Sequence, residues 1–371
     1  MTHRTQNGRH VVFLSLAIIL IISTQTFTTK AQKTDCWTSY WDEEKELIGF
    51  KDAAGKIVIE PKFSALTTAY RFNNIIAVSE EVDGDFQLYY LTKKGKIVGR
   101  DSLWIVDNTP DCESEGYIRF RDKKTDKVGM FDAKGRIAIP AEYDELTRVM
   151  NGMMVGLKGS IKKYLDPDKE YYQRSGGRSY LINTKNERII EDFEYSENLN
   201  FYSLKVETKP GHLQERVYFK GVNGRYYSFI DYEKEFLNLL KNELLNSFTE
   251  DALLNASYDS ITFWDEENGW MRDAKMKYIQ DHYTVIKKNL EIINTSEAEY
   301  SIFIEDLNPF ILNSTEFERY FNDCNEFKTW QYPLMNIMIT HYSENEMHQN
   351  HFGFLRTESG YKLISVSIRT N

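Results

Sequence analysis

Residues 45–210 repeat a short pattern, and this repetition constrains the fold more than any other feature of the 371-residue chain. Gly55, Gly95 and Gly135 are spaced 40 residues apart, and Asn186 takes the same place 51 residues further on. Two short apolar runs flank each Asp-x-x-Gly or Thr-x-x-Gly turn, which predicts a β-hairpin because glycine, and to a lesser degree asparagine, adopts positive φ. A third apolar run closes each unit. Three strands cannot bury their own apolar face, so we expect the units to stack.

The two best copies share a longer pattern: a glycine, an aspartate turn, a basic residue after the turn glycine, and an apolar strand that ends at proline and an aromatic residue. The matching positions are Gly49, Asp52, Gly55, Lys56, Pro61 and Phe63 in one copy and Gly129, Asp132, Gly135, Arg136, Pro140, Tyr143 and Asp144 in the other. This pattern resembles the WG repeat family of bacterial β-repeat proteins, although Ile48 and Val128 replace its tryptophan. The resemblance implies an all-β array of about four units, in a family that is often exported and has no common enzymatic activity.

The pattern changes after Gly224, and residues 225–371 predict a smaller α+β domain. Helices are predicted after an Asp231 cap, over residues 271–290, and from Thr315, which has capping-box spacing to a glutamate. Strands are predicted over Leu334 to Tyr342, His351 to Arg356 and Tyr361 to Ile368, with weaker ones over Ser260 to Trp264 and Tyr300 to Glu305. The last hairpin resembles that of an NTF2-like cone, which implies a pocket between helices and sheet.

The expected fold class is therefore mainly β with α+β. An antiparallel β-hairpin repeat array over residues 45–210 is followed by a smaller α+β domain over residues 225–371, for which the resemblance indicates an NTF2-like cone.

The amino terminus has the form of a secretory signal peptide. Two arginines precede an apolar run over residues 11–22, and Ala31 ends the short polar stretch that follows, so we expect cleavage after Ala31. An uncleaved membrane anchor is the less favoured alternative, because the run is shorter than the roughly 20 residues that span a bilayer. Lipidation of Cys36 is disfavoured because charged residues separate it from the run. We therefore expect removal of residues 1–31, no membrane span afterwards, and a periplasmic, extracellular or cell-surface protein.

Cys36, Cys112 and Cys324 are the cysteines of the chain. In an oxidising compartment two of them can pair, and Cys36 with Cys112 is the favoured disulfide because both lie in the amino-terminal half. The alternative is three unpaired thiols. Cys324 is expected to be a small buried apolar residue on the third predicted helix.

Charge and motifs exclude several functions. The chain has 46 basic and 56 acidic residues, a formal net charge of −10, so no nucleic-acid partner is expected. It carries no zinc-protease helix, nucleophile elbow, paired CxxC, P-loop or dinucleotide fingerprint, so no catalytic residue and no cofactor are predicted. His341, His348 and His351 are weak candidates for a metal site, and a solvated turn is the favoured interpretation.

These observations predict an exported cell-envelope binding or interaction protein without catalytic activity, whose partner is an envelope protein or surface ligand. The alternative is small-ligand binding or enzymatic activity in an NTF2-like carboxy-terminal domain.

Overall fold

The computed structural model describes residues 36–369 apart from residues 169–170, 296–298, 313 and 343–346. Cys36–Asn371 forms one compact unit. The predicted signal peptide, residues 1–31, and its cleavage point lie outside the described residues. Within the described part of the chain, no helix is long and apolar enough to cross a membrane.

The amino-terminal part of this unit consists of short antiparallel strands. In chain order they are β1 (Trp37–Asp42), β2 (Leu47–Lys51), β3 (Ile57–Phe63), β4 (Arg71–Phe72), β5 (Ile75–Val82), β6 (Asp85–Thr92), β7 (Ile97–Val98), β8 (Ile105–Val106), β9 (Thr109–Pro110), β10 (Tyr117–Asp122), β11 (Lys127–Asp132), β12 (Ile137–Tyr143), β13 (Glu145–Leu146), β14 (Met153–Lys158), β15 (Ile161–Tyr164), β16 (Tyr172–Ser175), β17 (Arg178–Asn183), β18 (Arg188–Glu191), β19 (Leu199–Glu207), β20 (Arg216–Lys220) and β21 (Tyr226–Asp231).

These strands form hairpins at the predicted turns. The third apolar run that was expected to close each unit pairs mainly with the hairpin that follows it, and therefore opens the next unit. The sheet orders are β4-β1-β2-β3-β5-β6-β7, β8-β9, β10-β11-β12, β13-β14-β17-β18, β15-β16 and β19-β21-β20. Units 1 to 4 are β1–β3, β5–β7, β10–β12, and β14 with β17 and β18. The antiparallel hairpins predicted at the four turns are thus confirmed, and the extra length before the fourth turn forms the β15–β16 hairpin.

Neighbouring units bury their apolar faces against each other, as expected for a stacked array. Phe50 of unit 1 shares a core cluster with Tyr89 of unit 2. Tyr90 of unit 2 packs in a second cluster with Phe131 of unit 3. Unit 3 in turn shares a cluster with Tyr180 of unit 4. Each of these three clusters combines residues of two neighbouring units, so the stability of each unit depends on its neighbours.

One backbone turn recurs along the chain. In each copy the first residue donates its N–H to the carbonyl of the fifth, and the fourth donates to the carbonyl of the first. The copies begin at Asp52, Thr92, Asp132, Asn183, Gly221 and Asn322, with hydrogen bonds of 2.7–3.2 Å. The fourth residue has positive φ in all six: Gly55, Gly95, Gly135, Asn186, Gly224 and Asn325. The last two turns lie outside the predicted repeat region, so the hairpin geometry extends further than the sequence pattern.

The first glycine of the two best copies is explained by close packing. A Cβ on Gly129 would lie 2.6 Å from the carbonyl oxygen of Ile139 and 2.7 Å from the ring of Phe120. Gly49 has the same surroundings, with the carbonyl of Ile59 2.7 Å from such a Cβ. Neither glycine has positive φ, so the space between strands requires the glycine.

The carboxy-terminal part combines helices with a six-stranded sheet. The helices are α1 (Tyr232–Asn238), which continues as a π-helical turn (Leu239–Leu244) and a 3-10 turn (Leu245–Ser247), α2 (Glu250–Asn255) and α3 (Lys275–Glu291), which ends in a 3-10 turn (Ile292–Asn294). The strands are β22 (Ser257–Asp265), β23 (Gly269–Ala274), β24 (Glu299–Glu305), β25 (Leu334–Tyr342), β26 (Met347–Thr357) and β27 (Gly360–Ser367). Their order is β23-β22-β27-β26-β25-β24, and only β22 and β27 pair in parallel.

Most predicted elements of this part are confirmed, with two corrections. Asp231 caps α1 by accepting a hydrogen bond from the Lys234 N–H at 3.2 Å. The second helix begins at Lys275 because Gly269–Ala274 is the second strand of a hairpin. The predicted helix from Thr315 is wrong: that region holds one short 3-10 turn, Glu318–Tyr320, because its aromatic residues pack from an irregular segment onto the back of the sheet.

Candidate functional site

The segment between β24 and β25, residues 306–333, turns back onto the repeat array, and we call it the return segment. Its Asp323 carbonyl accepts hydrogen bonds from the Tyr70 and Arg71 N–H groups at 2.8 and 2.9 Å. The Asn73 amide donates to the Asp323 carboxylate at 2.6 Å. These contacts attach a segment from the carboxy-terminal part to the first units of the array.

A disulfide fixes this attachment. Cys112 pairs with Cys324, 212 residues later, with a Cα–Cα distance of 6.1 Å. The predicted Cys36–Cys112 pair is therefore wrong, and Cys36 is free. The expectation that Cys324 is a buried residue on a helix is wrong as well, because the residue lies in the sixth repeat-type turn. Proximity along the chain favoured the wrong partner, since the fold of the return segment decides which cysteines meet.

A cleft of about 960 Å³ lies near this junction, with units 3 and 4 on one side and the return segment on the other. Its charged lining residues are Arg119, Glu145, Arg148, Glu197, Asp306 and Glu326. Aromatic and apolar residues from both sides complete the walls, so the cleft combines a polar lining with apolar surface. It exceeds two other clefts of the described residues, of about 380 and 210 Å³, and we take it as the candidate site.

Both arginines of the cleft are held by partners within the protein. The Arg148 guanidinium stacks on the Trp330 ring at 4.0 Å and lies 3.3 Å from the Glu326 carboxylate. Arg119 is buried, pairs with the buried carboxylate of Asp111 and lies over an indole ring. Both guanidinium charges are therefore already balanced by carboxylates within the protein.

Only some carboxylates of the cleft are held by a partner within the described part of the protein. Glu145 accepts from Arg121 at 3.0 Å and also pairs with Arg174. Glu197 and Asp306, in contrast, make no hydrogen bond or ion pair with any residue that the structure describes. Burial in the cleft, together with the charge of Glu326, raises the pKa of Asp306 above its ordinary value. The cleft therefore holds more negative charge than its own cations balance.

Tyr195 places a phenol beside these carboxylates. Its ring is 40 % exposed and lines the cleft, so it is available to a ligand. Burial and the charge of Glu197 raise the pKa of Tyr195, and the two cleft arginines partly offset this rise. The phenol is therefore protonated and neutral near pH 7.

The three histidines do not converge on one rim. His341 and His348 face each other across β25 and β26, with ring centroids 4.9 Å apart. His351 pairs with Met338 in the same ladder and lies on the opposite face of the sheet, because side chains alternate along a strand. Across the described residues, no group of three or more histidine, cysteine, aspartate or glutamate side chains could hold a metal ion.

Sequence reasoning missed the cleft because its residues come from distant parts of the chain. Arg148 and Glu326 are 178 residues apart, and no local pattern links them. One signal was present: Asn322 and Asn325 repeat the spacing of the hairpin turns and mark the point where the return segment meets the array.

Comparison with known proteins agrees with the repeat geometry. Residues 48–81 and 129–153 match a family model. Both matches are to the WG containing repeat. The first match runs from β2 into β5 and the second from β11 to the first residue of β14, so each begins in the middle strand of a unit and reaches the first strand of the next. The matches support a repeat-based binding or interaction protein. No curated protein and no solved structure matches the chain.

Proposed function

We propose that this protein is exported to the cell envelope and binds a partner there, in the cleft between its WG-type array and the return segment. The observation that carries the proposal is the cleft itself: a volume of about 960 Å³, a mixed polar and apolar lining, and carboxylates without partners among the described residues. Clefts of this size are the usual places where proteins bind ligands.

Two observations support export to the periplasm or cell surface. Residues 1–31 have the composition of a signal peptide. The Cys112–Cys324 disulfide joins parts of the chain 212 residues apart, and such bonds persist in oxidising compartments.

The cleft is a better candidate than the interior of the carboxy-terminal part. The NTF2-like resemblance would put a pocket between the helices and the sheet. In that space α3 contributes Ile279 and Ile286, the sheet contributes Ile337 and Phe352, and all four are fully buried in one core cluster. We therefore propose no small-ligand or enzymatic activity there.

Blocking the cleft tests the binding proposal. Ser179 lines the cleft, and a Ser179→Trp side chain would occupy part of it. Lys185→Trp adds the same ring to the exposed turn of the same hairpin, away from the cleft, and is the matched control. The bait is residues 32–371 in one piece, because the return segment is bound to the array. We expect wild type and K185W to retain the same envelope component and S179W to lose it.

The proposal fails if S179W captures that component as well as K185W does. Its export part is tested separately by fractionating cells that express the full chain and determining the mature amino terminus. We expect a periplasmic or surface-exposed protein that begins at Gln32, and intact protein in the cytoplasm would contradict export.

A further inference from the structure

We propose that the cleft recognises a cation on an apolar stem, such as the side chain of lysine or arginine in a polypeptide segment, or a free polyamine. This inference rests on the proposed function, because it names the ligand class of the same cleft.

The charges of the cleft point to a cation. Arg148 is held by Glu326 and Trp330, and Arg119 by Asp111. Asp306 and Glu197 remain without a cationic partner among the described residues. An ammonium or guanidinium group at either carboxylate would form charge-assisted hydrogen bonds, which are among the stronger polar contacts in proteins.

The state of Asp306 agrees with this assignment. Glu326 and the walls of the cleft make its negative charge less favourable than in open water. A bound cation relieves that cost, whereas a bound anion would increase it. The charges of the two arginines are already balanced by Glu326 and Asp111.

The aromatic groups indicate the shape of the ligand. One face of Trp330 is already covered by the Arg148 guanidinium, and the residue packs against the core formed by unit 4 with β19 and β21, so it offers no free platform for a sugar ring. Apolar surface is instead supplied by residues such as Leu157, Ile304 and Pro309. Such walls fit the methylene stem of a lysine or arginine side chain.

The size and the overall charge of the protein fit the same class. A volume of about 960 Å³ exceeds what one amine requires and accommodates several residues of a peptide. The formal net charge of −10 becomes −13 once residues 1–31, with three basic and no acidic residues, are removed. This field attracts cationic ligands over distances of about one Debye length.

The test measures binding to four probes by calorimetry with residues 32–371. The probes are an acetylated and amidated Gly-Lys-Leu-Lys-Gly peptide, the same peptide with acetylated lysine side chains, its glutamate counterpart, and spermidine. We expect the lysine peptide to bind at least about tenfold more tightly than the acetylated and glutamate peptides, and to weaken as salt is raised. If spermidine binds with comparable affinity, the ligand is assigned as a free polyamine. If spermidine does not bind, the ligand is assigned as a polypeptide.

Matched variants locate the binding. The double variant Asp306→Asn with Glu197→Gln keeps the side-chain shapes and removes both charges, and we expect it to lose about tenfold in affinity for the lysine peptide. Asp107→Asn with Glu81→Gln removes two exposed charges that do not line the cleft, and we expect less than a twofold change. Urea unfolding of both variants shows whether they are folded.

Two results would overturn the inference: equal binding of the lysine and acetylated peptides, or wild-type affinity in the D306N/E197Q variant. These are distinct from failure of the proposed function. If S179W abolishes capture while no lysine peptide binds, the cleft is the binding site and the ligand class is wrong. If the lysine peptide binds at Asp306 and Glu197 while S179W captures normally, the envelope function is wrong and the ligand class holds.

Discussion

At the residue scale, the first residue of the repeated turn determines how many backbone groups are satisfied. Asp132 accepts hydrogen bonds from the Lys134 and Arg136 N–H groups, both at 2.9 Å, through one carboxylate oxygen. Asn183 makes the same two contacts with its amide oxygen, while Thr92 makes only the second. Each side chain thus satisfies backbone N–H groups of a tight turn, which explains Asp, Asn or Thr at this place in five of the six turns; Gly221 is the exception.

The turn hydrogen bonds predict different effects for two substitutions of Asp132. Asp132→Ala removes both acceptors and should lower the free energy of unfolding by about 1–2 kcal/mol. Asp132→Asn keeps them, as Asn183 does in unit 4, and should cost less than half of that. Urea unfolding at pH 7 measures both values, and an equal loss in the two variants would show that the charge, not the hydrogen bonds, stabilises the turn.

The pH dependence of Asp132 follows from its surroundings. Burial raises the pKa of this carboxyl, but hydrogen bonds from Arg136 and Lys134 and the Arg136 charge outweigh burial and lower it below its ordinary 3.8. A lowered folded-state pKa stabilises the protein above the unfolded pKa, and this contribution is lost as the pH falls through the folded value. Unfolding measured between pH 5 and 3 should therefore show a shallower loss of stability in D132N than in wild type. A parallel decline would contradict this.

Changing Gly129 or Gly55 to alanine is expected to destabilise the protein, for a different physical reason at each position. Gly129→Ala introduces a Cβ 2.6 Å from the Ile139 carbonyl, and such overpacking costs about 1–3 kcal/mol. Gly55→Ala meets no atom within 4 Å, and its cost of about 1–2 kcal/mol comes only from a φ of 80°. Gly55→Asn should recover most of that loss, since asparagine occupies this place at Asn186, whereas Gly129→Asn should not. Denaturant unfolding of all four variants checks this, and recovery at both sites would disprove the packing explanation.

At the element scale, the β25–β26 hairpin packs on the end of α3 through a small polar cluster. The Asn289 side-chain oxygen lies 3.1 Å from His341 Nε2 and accepts from the Asn350 amide at 2.8 Å. The His348 ring stacks on His341, and its Nδ1 is buried without a partner among the described residues. A proton added to the His341 ring brings a charge into a region that offers it no carboxylate among these contacts.

This cluster predicts loss of stability in mild acid. Burial lowers the pKa of His341 below its ordinary 6.5, and the neighbouring His348 and Lys288 lower it further. The neutral ring is therefore favoured in the folded state. This preference adds to the free energy of unfolding above pH 6.5, and the added stability is lost as the pH falls through the folded pKa. His341→Gln should flatten the decline of unfolding free energy between pH 6.5 and 5. Part of the decline should remain in this variant, because burial also lowers the pKa of His351.

His212 provides the control for this experiment. It lies exposed in the loop between β19 and β20. His212→Gln should leave the pH dependence of unfolding as in wild type. An H341Q profile that coincides with H212Q would show that the cluster does not contribute.

At the scale of the whole molecule, the return segment joins the two parts of the chain. The Cys112–Cys324 disulfide closes a loop of 212 residues, and its neighbours Asn73 and Asp323 add a hydrogen bond across the same contact. Cross-links that close long loops restrict the unfolded chain most. The disulfide therefore stabilises both the fold and the cleft beside it.

Removing the disulfide should destabilise the protein, while removing the free thiol should not. The double variant Cys112→Ser with Cys324→Ser is expected to lose about 2–5 kcal/mol of unfolding free energy, and a reductant should bring wild type to the same value. Cys36→Ser is the control, since burial and the nearby Asp323 raise the pKa of its thiol and keep it protonated. Equal unfolding of the double variant and C36S under oxidising conditions would contradict this role.

Local patterns predicted the elements better than their contacts. The strand Leu334–Tyr342 was predicted with the bounds the structure has, because a run rich in apolar and β-branched residues is typical of a buried strand. The helix from Thr315 was wrong, since a capping signal and an aromatic stripe did not outweigh packing of these rings on the back of the sheet. The turn at Gly221–Gly224 was missed although it lies 38 residues beyond the fourth, because Gly221 stands where the predicted turns have Asp, Asn or Thr.

The sequence alone determined the hairpin units and their stacking. Their turns need positive φ and side-chain acceptors at fixed positions, and these requirements are met within five residues. The tertiary structure alone decided the pairing of Cys112 with Cys324 and the cleft that joins Arg148 to Glu326. Contacts across more than 150 residues depend on how every intervening element packs, and no short stretch of sequence contains that information.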